Sequence, residues 1–178
     1  MKFEGKIIFI LFSILFLAFT YQDYNKIERI KQSLTKTNSS KDKVELYKEL
    51  AEEFNKQLPD SSRKYAFLAL KFSNNIKLNA DLLFKIGLNF NYQSEYDSSL
   101  VYYKKSLTIY EQIKDSIGIG NCYYRLGLLA TIRGNYIEAL DYCYKAVDIL
   151  EHQNDYTSLA YAQNYLAIVL YITDDLAN

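Results

Sequence analysis

Two stretches of this chain carry nearly the same pattern: LFKIGLNFNYQSEYDSSLVYYKKSL at residues 83–107 and YYRLGLLATIRGNYIEALDYCYKAV at residues 123–147. When the chain is shifted against itself by 40 residues, Ile86-Gly87 falls on Leu126-Gly127, Tyr96 on Tyr136, Leu100 on Leu140, Tyr102 on Tyr142, Lys105 on Lys145 and Ile109 on Ile149. The match extends into the connectors, where EQIKD at 111–115 lies over EHQND at 151–155, and a third copy begins on schedule at Leu166-Ala167. An internal period of this size marks a stacked-repeat architecture.

Each period holds two helical stripes. Tyr123, Leu126, Gly127 and Ala130 recur at helical spacing, and so do Tyr136, Ala139, Leu140, Cys143, Val147 and Leu150. Arg133-Gly134-Asn135 supplies a turn between them with a glycine past the helix end. Asp115 and Asp155 suit the N-caps of the helices that follow. The unit is therefore a helical hairpin, with Gly127 and Ala139 as small residues at facing positions. A mid-helix glycine costs about 1 kcal/mol relative to alanine. Close approach of the two helices must more than offset that.

Composition narrows the rest. One proline and six glycines are too little punctuation for many short strands, so the chain reads as all-helical. Lys plus Arg and Asp plus Glu are equal at 21 each, so no global field draws in nucleic acid. No basic patch backed by a recognition helix is visible, and no nucleic-acid partner is expected of this chain.

The N-terminus reads as a separate piece. Lys2 and Lys6 precede an uncharged apolar run at 7–19. As a helix that run covers roughly 20 Å, short of a bilayer core of roughly 30 Å. Residues 1–20 are read either as a secretory signal, with cleavage after Thr20, or as an uncleaved N-terminal anchor. Either reading puts the protein in the periplasm or on the outer side of the inner membrane.

The repeat residues resemble the tetratricopeptide repeat. That pattern is met by Tyr123, Leu126, Gly127, Ala139, Cys143 and Ala146, and one period earlier by Leu83, Ile86, Gly87, Phe90, Ser99, Tyr103 and Ser106. Ala130 and Cys143 replace aromatics, the closing proline is absent, and the spacing exceeds the family's basic period of about 34 residues. The surplus is expected to lengthen both helices. A weaker copy starts near Lys43, with Tyr47, Leu50, Ala51 and Phe54 in its first helix and LPDSSRKYAFLALKFS at 58–73 as its second. Ile27, Ile30 and Leu34 make a lead helix of 24–37. The expected organisation is a lead helix and linker at 21–40, then an array at 41–178, with repeats near 41–77, 78–116 and 117–156 and an incomplete one at 157–178. The resemblance implies a right-handed superhelical α-solenoid of antiparallel hairpins.

The layout is also similar to the extracytoplasmic regions of sensor histidine kinases and transcription regulators of Bacteroidetes. The resemblance implies a non-enzymatic scaffold for a protein or peptide. Two alternatives stay open: the input region of such a sensor, and a cytoplasmic regulator responding to a peptide pheromone. The first helix of each hairpin should line the concave, partner-binding side. By this resemblance the contacts are Asp81, Phe84, Lys85, Leu88, Asn91 and Tyr92, then Asn121, Tyr124, Arg125, Leu128, Thr131 and Ile132, then Tyr161 and Asn164. The Lys and Asn pattern with which some members clamp chaperone tails is absent, since Phe84, Leu88, Tyr124 and Leu128 hold those places.

No catalytic constellation emerges. His152 is the single histidine, so neither a histidine-based metal cluster nor a nucleophile with a histidine base can be assembled, and no cofactor is expected. Gly118 and Gly120 form a G-x-G with no strand before it, which is read as noise. A Cys122–Cys143 bridge across the hairpin is considered, against the reading of Cys143 as a small core residue. The last copy offers a helix at 157–172 and then TDDLAN. Its apolar run Ile168, Val169, Leu170, Tyr171 and Ile172 reads as the edge of a truncated array or as a self-association surface.

Overall fold

The computed structural model describes residues 24–55 and 58–176. The run at 7–19 and its signal-or-anchor reading lie outside them. Eight helices and no strand make up the described residues: α1 (24–36), α2 (Ser40–Phe54), α3 (Pro59–Phe72), α4 (Ile76–Tyr92), α5 (Tyr96–Gln112), α6 (Ser116–Ile132), α7 (Tyr136–Leu150) and α8 (Tyr156–Asp175). No helix among the described residues is long and apolar enough to cross a membrane. The chain divides into two compact units, one ending at Phe72 and one beginning at Ser73.

In the first unit, Ser39 caps α2 by accepting from the Asp42 amide, and Pro59 opens α3, where its missing N–H costs nothing. Ala51 and Ser62 are both buried, and Ser62 Oγ donates to the Ala51 carbonyl at 2.6 Å. Around this small-to-small contact Tyr47 stacks on Phe72 at 5.9 Å and Phe54 on Tyr65 at 5.6 Å. Ile30 of α1 is buried, and Lys26 pairs with Glu53 of α2.

The second unit keeps a stricter metre than the 40-residue repeat. Its N-caps are Asn75, Glu95, Asp115, Asn135 and Asp155, one every 20 residues. After α4, α5 and α6 the chain turns through a left-handed residue: Ser94 at φ 61°, Lys114 at 57° and Gly134 at 75°. Each is followed by a residue whose amide bonds back five positions at 2.9 Å, Glu95 to Phe90, Asp115 to Tyr110 and Asn135 to Ala130. These are Schellman closures, and the residue that closes one helix caps the next. Only Gly134 takes the conformation without a Cβ penalty. Ser94→Gly and Lys114→Gly are therefore each expected to raise stability by about 0.5–1 kcal/mol, read as a higher urea midpoint in circular dichroism. An unchanged or lowered midpoint would show that these two turns carry no strain.

Side-chain packing follows the small-for-large reading. A Cβ on Gly87 would lie 2.8 Å from the ring of Tyr103, and one on Gly127 would lie 2.7 Å from Cys143 Sγ and 3.3 Å from the Ala139 carbonyl oxygen. Ser99 Oγ donates to the Gly87 carbonyl at 2.9 Å, and Ser106 Oγ to the Ala80 carbonyl at 2.8 Å. Tyr103, Leu126 and Leu129 form one buried cluster, with Phe84, Leu88, Tyr96, Leu100 and Tyr142 packed against it.

The G-x-G at Gly118 and Gly120 has a packing role: the ring of Tyr110 and the side chain of Leu150 fill the space their Cβ atoms would need. The helix expected to stop at residue 172 continues to Asp175. In α8, Val169 is buried while Ile168, Leu170 and Tyr171 are exposed, so its apolar run has one inner face and one open side. Both cysteines are free and buried in different clusters, Cys122 with Ala80 and Tyr110, Cys143 with Ala130, Ala139 and Val169. Burial pushes their thiols up, to about 12 for Cys122 and about 11 for Cys143. They are core residues and not a bridge.

Candidate partner-binding face

The first helices of the hairpins in the second unit are α4, α6 and α8. Phe84 and Leu88 of α4 pack against the cluster that Tyr103 of α5 forms with Leu126 and Leu129 of α6, and Tyr124 of α6 stacks on Tyr161 and Tyr165 of α8 at 6.2 and 5.6 Å. Residues 40 apart therefore occupy matching places along a strip: Asp81, Asn121 and Tyr161; Phe84, Tyr124 and Asn164; Leu88, Leu128 and Ile168; Asn91 and Thr131; Tyr92 and Ile132.

The strip divides the predicted residues into three groups. Tyr92, Ile132 and Tyr161 are 54%, 45% and 51% exposed, and Asn164 is exposed as well. Lys85, Leu88, Asn91, Asn121, Arg125, Leu128 and Thr131 are half-buried, with Phe84 and Leu88 serving the core on one side, and Thr131 Oγ1 donates to the Gly127 carbonyl at 2.9 Å. Tyr124 departs from expectation. At 4% exposed it is a core ring between helices, because α8 lays Tyr161 and Tyr165 over it.

Asp81 is also engaged internally. Tyr110 donates to Asp81 Oδ1 at 2.6 Å, Lys77 donates to the same oxygen at 2.8 Å, and Lys77 Nζ lies 2.7 Å from Asp115 Oδ2. This network ties α4, α5 and the N-cap of α6 together. Burial, reinforced by the Asp81 carboxylate, pushes the Tyr110 phenol well above its usual range. For Asp115 burial works against the charged form, but Lys77 and the Gly118 amide outweigh it and the carboxyl is held below its usual value. A depressed carboxyl contributes stability that is present above its unfolded value of about 3.9 and lost as pH falls through the folded one. Acid titration of Asp115→Asn, which can still cap, should show a loss of no more than about 1 kcal/mol near neutral pH, because solvent screens the half-exposed Lys77. The gap between variant and parent should close below about pH 4. A gap that persists at low pH would rule out the charge as its source.

Two further features were not read from the sequence. A hollow at the α4–α5 turn is lined by Ser94, Tyr96, Asp97, Ser98, Ile132 and Arg133, with Arg133 paired to Asp97 across it. It joins two segments far apart in sequence, 94–98 and 132–133, of which only Tyr96 belonged to the repeat match and only Ile132 to the expected contacts. At the C-terminal end of α7, Asp148 in its last turn and Glu151 and His152 just beyond it bring one ligand atom each to within 4.8 Å of one another. All three are exposed, and His152 Nε2 lies 3.5 Å from Glu151. With a single histidine in the chain, nothing in the residue spacing marked this trio.

Residues 78–151 match the sequence model of the tetratricopeptide repeat. That stretch runs from the first turn of α4 to the end of α7. No curated protein matches the chain by sequence. Among solved structures the chain is similar to BtubC (BKLC) from P. vanneervenii, with a TM-score of 0.72 at 16% identity over 86% of this chain and 69% of that one. It is similar to aspartyl phosphate phosphatase F from Bacillus subtilis, with a TM-score of 0.76 at 16% identity, over 88% of this chain but 45% of the phosphatase. MamA gives a TM-score of 0.56 at 16% identity, covering 85% of this chain and 88% of that one. At this identity the likenesses show the fold alone, an all-α fold of the α-solenoid class.

Proposed function

We propose that this chain is a non-enzymatic scaffold that holds an extended peptide or a partner helix along the α4–α6–α8 strip. The observation that carries this is the register of its open groups. Apolar side chains return at matching places on successive first helices, Tyr92 with Ile132 and Leu88 with Leu128 and Ile168, among the amides of Asn91, Asn121 and Asn164. An apolar surface edged by side-chain donors and acceptors suits a peptide backbone with anchoring side chains. Repeats of the matched kind generally mediate protein–protein contact, which agrees with this reading.

Two finer readings accompany it. The lysines and the uncharged run at the N-terminus support export, with the protein periplasmic or held at the outer side of the inner membrane. The open side of α8, where Ala160 and Ala167 stand exposed at the places of Gly120 and Gly127, supports contact with a further helix or a second copy.

The test of the main reading is selection of a displayed library of random peptides on the full chain. Enriched sequences should share spaced apolar positions, and their binding should be lost in a Tyr92→Ala, Ile132→Asp variant that keeps its helical circular dichroism. Failure to enrich any sequence, or binding indifferent to that variant, overturns the proposal.

A further inference from the structure

Arg125 stands in the middle of the strip with no anion to balance it. Its guanidinium carbon lies 5.0 Å from the centroid of the Tyr124 ring, and the Tyr103 and Tyr165 hydroxyls are its other neighbours. It forms no ion pair among the described residues, and its Nε is buried without a hydrogen-bond partner. The Tyr103 hydroxyl, which faces Asn91 and Ser99, is likewise buried without a hydrogen bond of good geometry, and so is Oδ1 of Asn121, one turn before Arg125 on α6. Three other cations of this unit are differently placed: Lys77 holds two carboxylates, Arg133 holds Asp97 and Lys145 holds Asp141.

A guanidinium does not discharge in a protein, so it cannot escape the cost of partial burial by losing a proton. The neighbouring phenols offer it a π face and, at Tyr124, a hydroxyl oxygen, but no countercharge. An incompletely compensated charge in a half-buried place is costly, and a carboxylate, with two oxygens in one plane, is the partner that an arginine fork matches. The strip also continues past Arg125 on both sides, to Tyr92 on α4 and to Tyr161 and Asn164 on α8, so a bound chain has room to run through rather than end there.

We infer that Arg125 is an anchor for an aspartate or glutamate side chain in the interior of the partner peptide. This rests on the peptide-binding reading, and the test separates the two. The same library, with each peptide joined to its carrier through its C-terminus so that no terminal carboxyl is free, is selected on the parent chain and on Arg125→Gln.

The parent pool should carry an acidic residue at one fixed distance from the apolar positions, and the Arg125→Gln pool should keep the apolar positions and lose the acidic one. Changing that acid to its amide in a selected synthetic peptide should weaken binding to the parent about 10- to 100-fold and leave binding to the variant unchanged. Arg125→Lys, which keeps the charge without the fork, guards against a variant that does not fold. It should retain the acidic preference at reduced affinity. A parent pool with shared apolar positions and no acidic preference overturns this inference and leaves the scaffold reading standing. A pool with no shared positions overturns both. Tight binding of a peptide whose only carboxylate is its free terminus overturns the assignment to a side chain.

Discussion

Replacing Tyr103 by alanine is expected to lower the stability of the second unit by about 3–5 kcal/mol, the range for removing a fully buried aromatic ring. Tyr103 is completely enclosed, and its ring fills the space opened by Gly87 on the facing helix. Urea unfolding followed by circular dichroism measures the loss. The sharper form of the experiment uses both residues. Gly87→Ala alone should cost about 1–3 kcal/mol, because its new methyl would meet the ring at 2.8 Å in a core that cannot retreat. In the Tyr103→Ala background the same change should cost nothing or add up to about 1 kcal/mol, because the obstruction is gone and alanine is the better helix former. Penalties that simply add would mean that ring and glycine do not form one notch.

The second large effect concerns a residue that the repeat pattern assigns to the partner and the fold assigns to the core. Tyr124→Ala should also destabilise the unit by about 3–5 kcal/mol, since the ring is buried beneath Tyr161 and Tyr165. Tyr161→Ala, half-exposed above it, should stay near 0.5 kcal/mol and act on peptide binding. The same unfolding measurement on both variants separates the roles. A stable Tyr124→Ala that loses its peptide would return Tyr124 to the contact surface.

Tyr124 also shows what a single sequence can and cannot reveal. Helix positions, the Asp115 and Asp155 caps and the left-handed Gly134 are local consequences of spacing and residue chemistry, and they were legible in the sequence. So was the Gly127–Ala139 approach, because a costly glycine that recurs needs a packing reason. Burial on the strip was not legible, because it depends on which residue of the next repeat lies across from each side chain. Tyr161 and Tyr165 enclose Tyr124, whereas Leu128 in a similar place stays half-open. Lys114 and Ser94 hid their left-handed turns for a related reason: neither is a residue that favours that conformation, and tertiary packing imposes it.

The 20-residue metre leaves one place where chain length is free. Between α4 and α7 every connector is three residues, each one occupied in closing one helix and starting the next, so a single added residue there would rotate everything downstream out of phase. After α7, which is two residues shorter than its predecessors, the chain spends five residues at 151–155 before Asp155 restores the beat. Glu151, His152 and Asn154 are exposed and the turn is not a Schellman closure, so an inserted loop or fluorophore tag at this point is absorbed for little more than loop entropy. It is the natural port for labelling the protein without disturbing the helices before it.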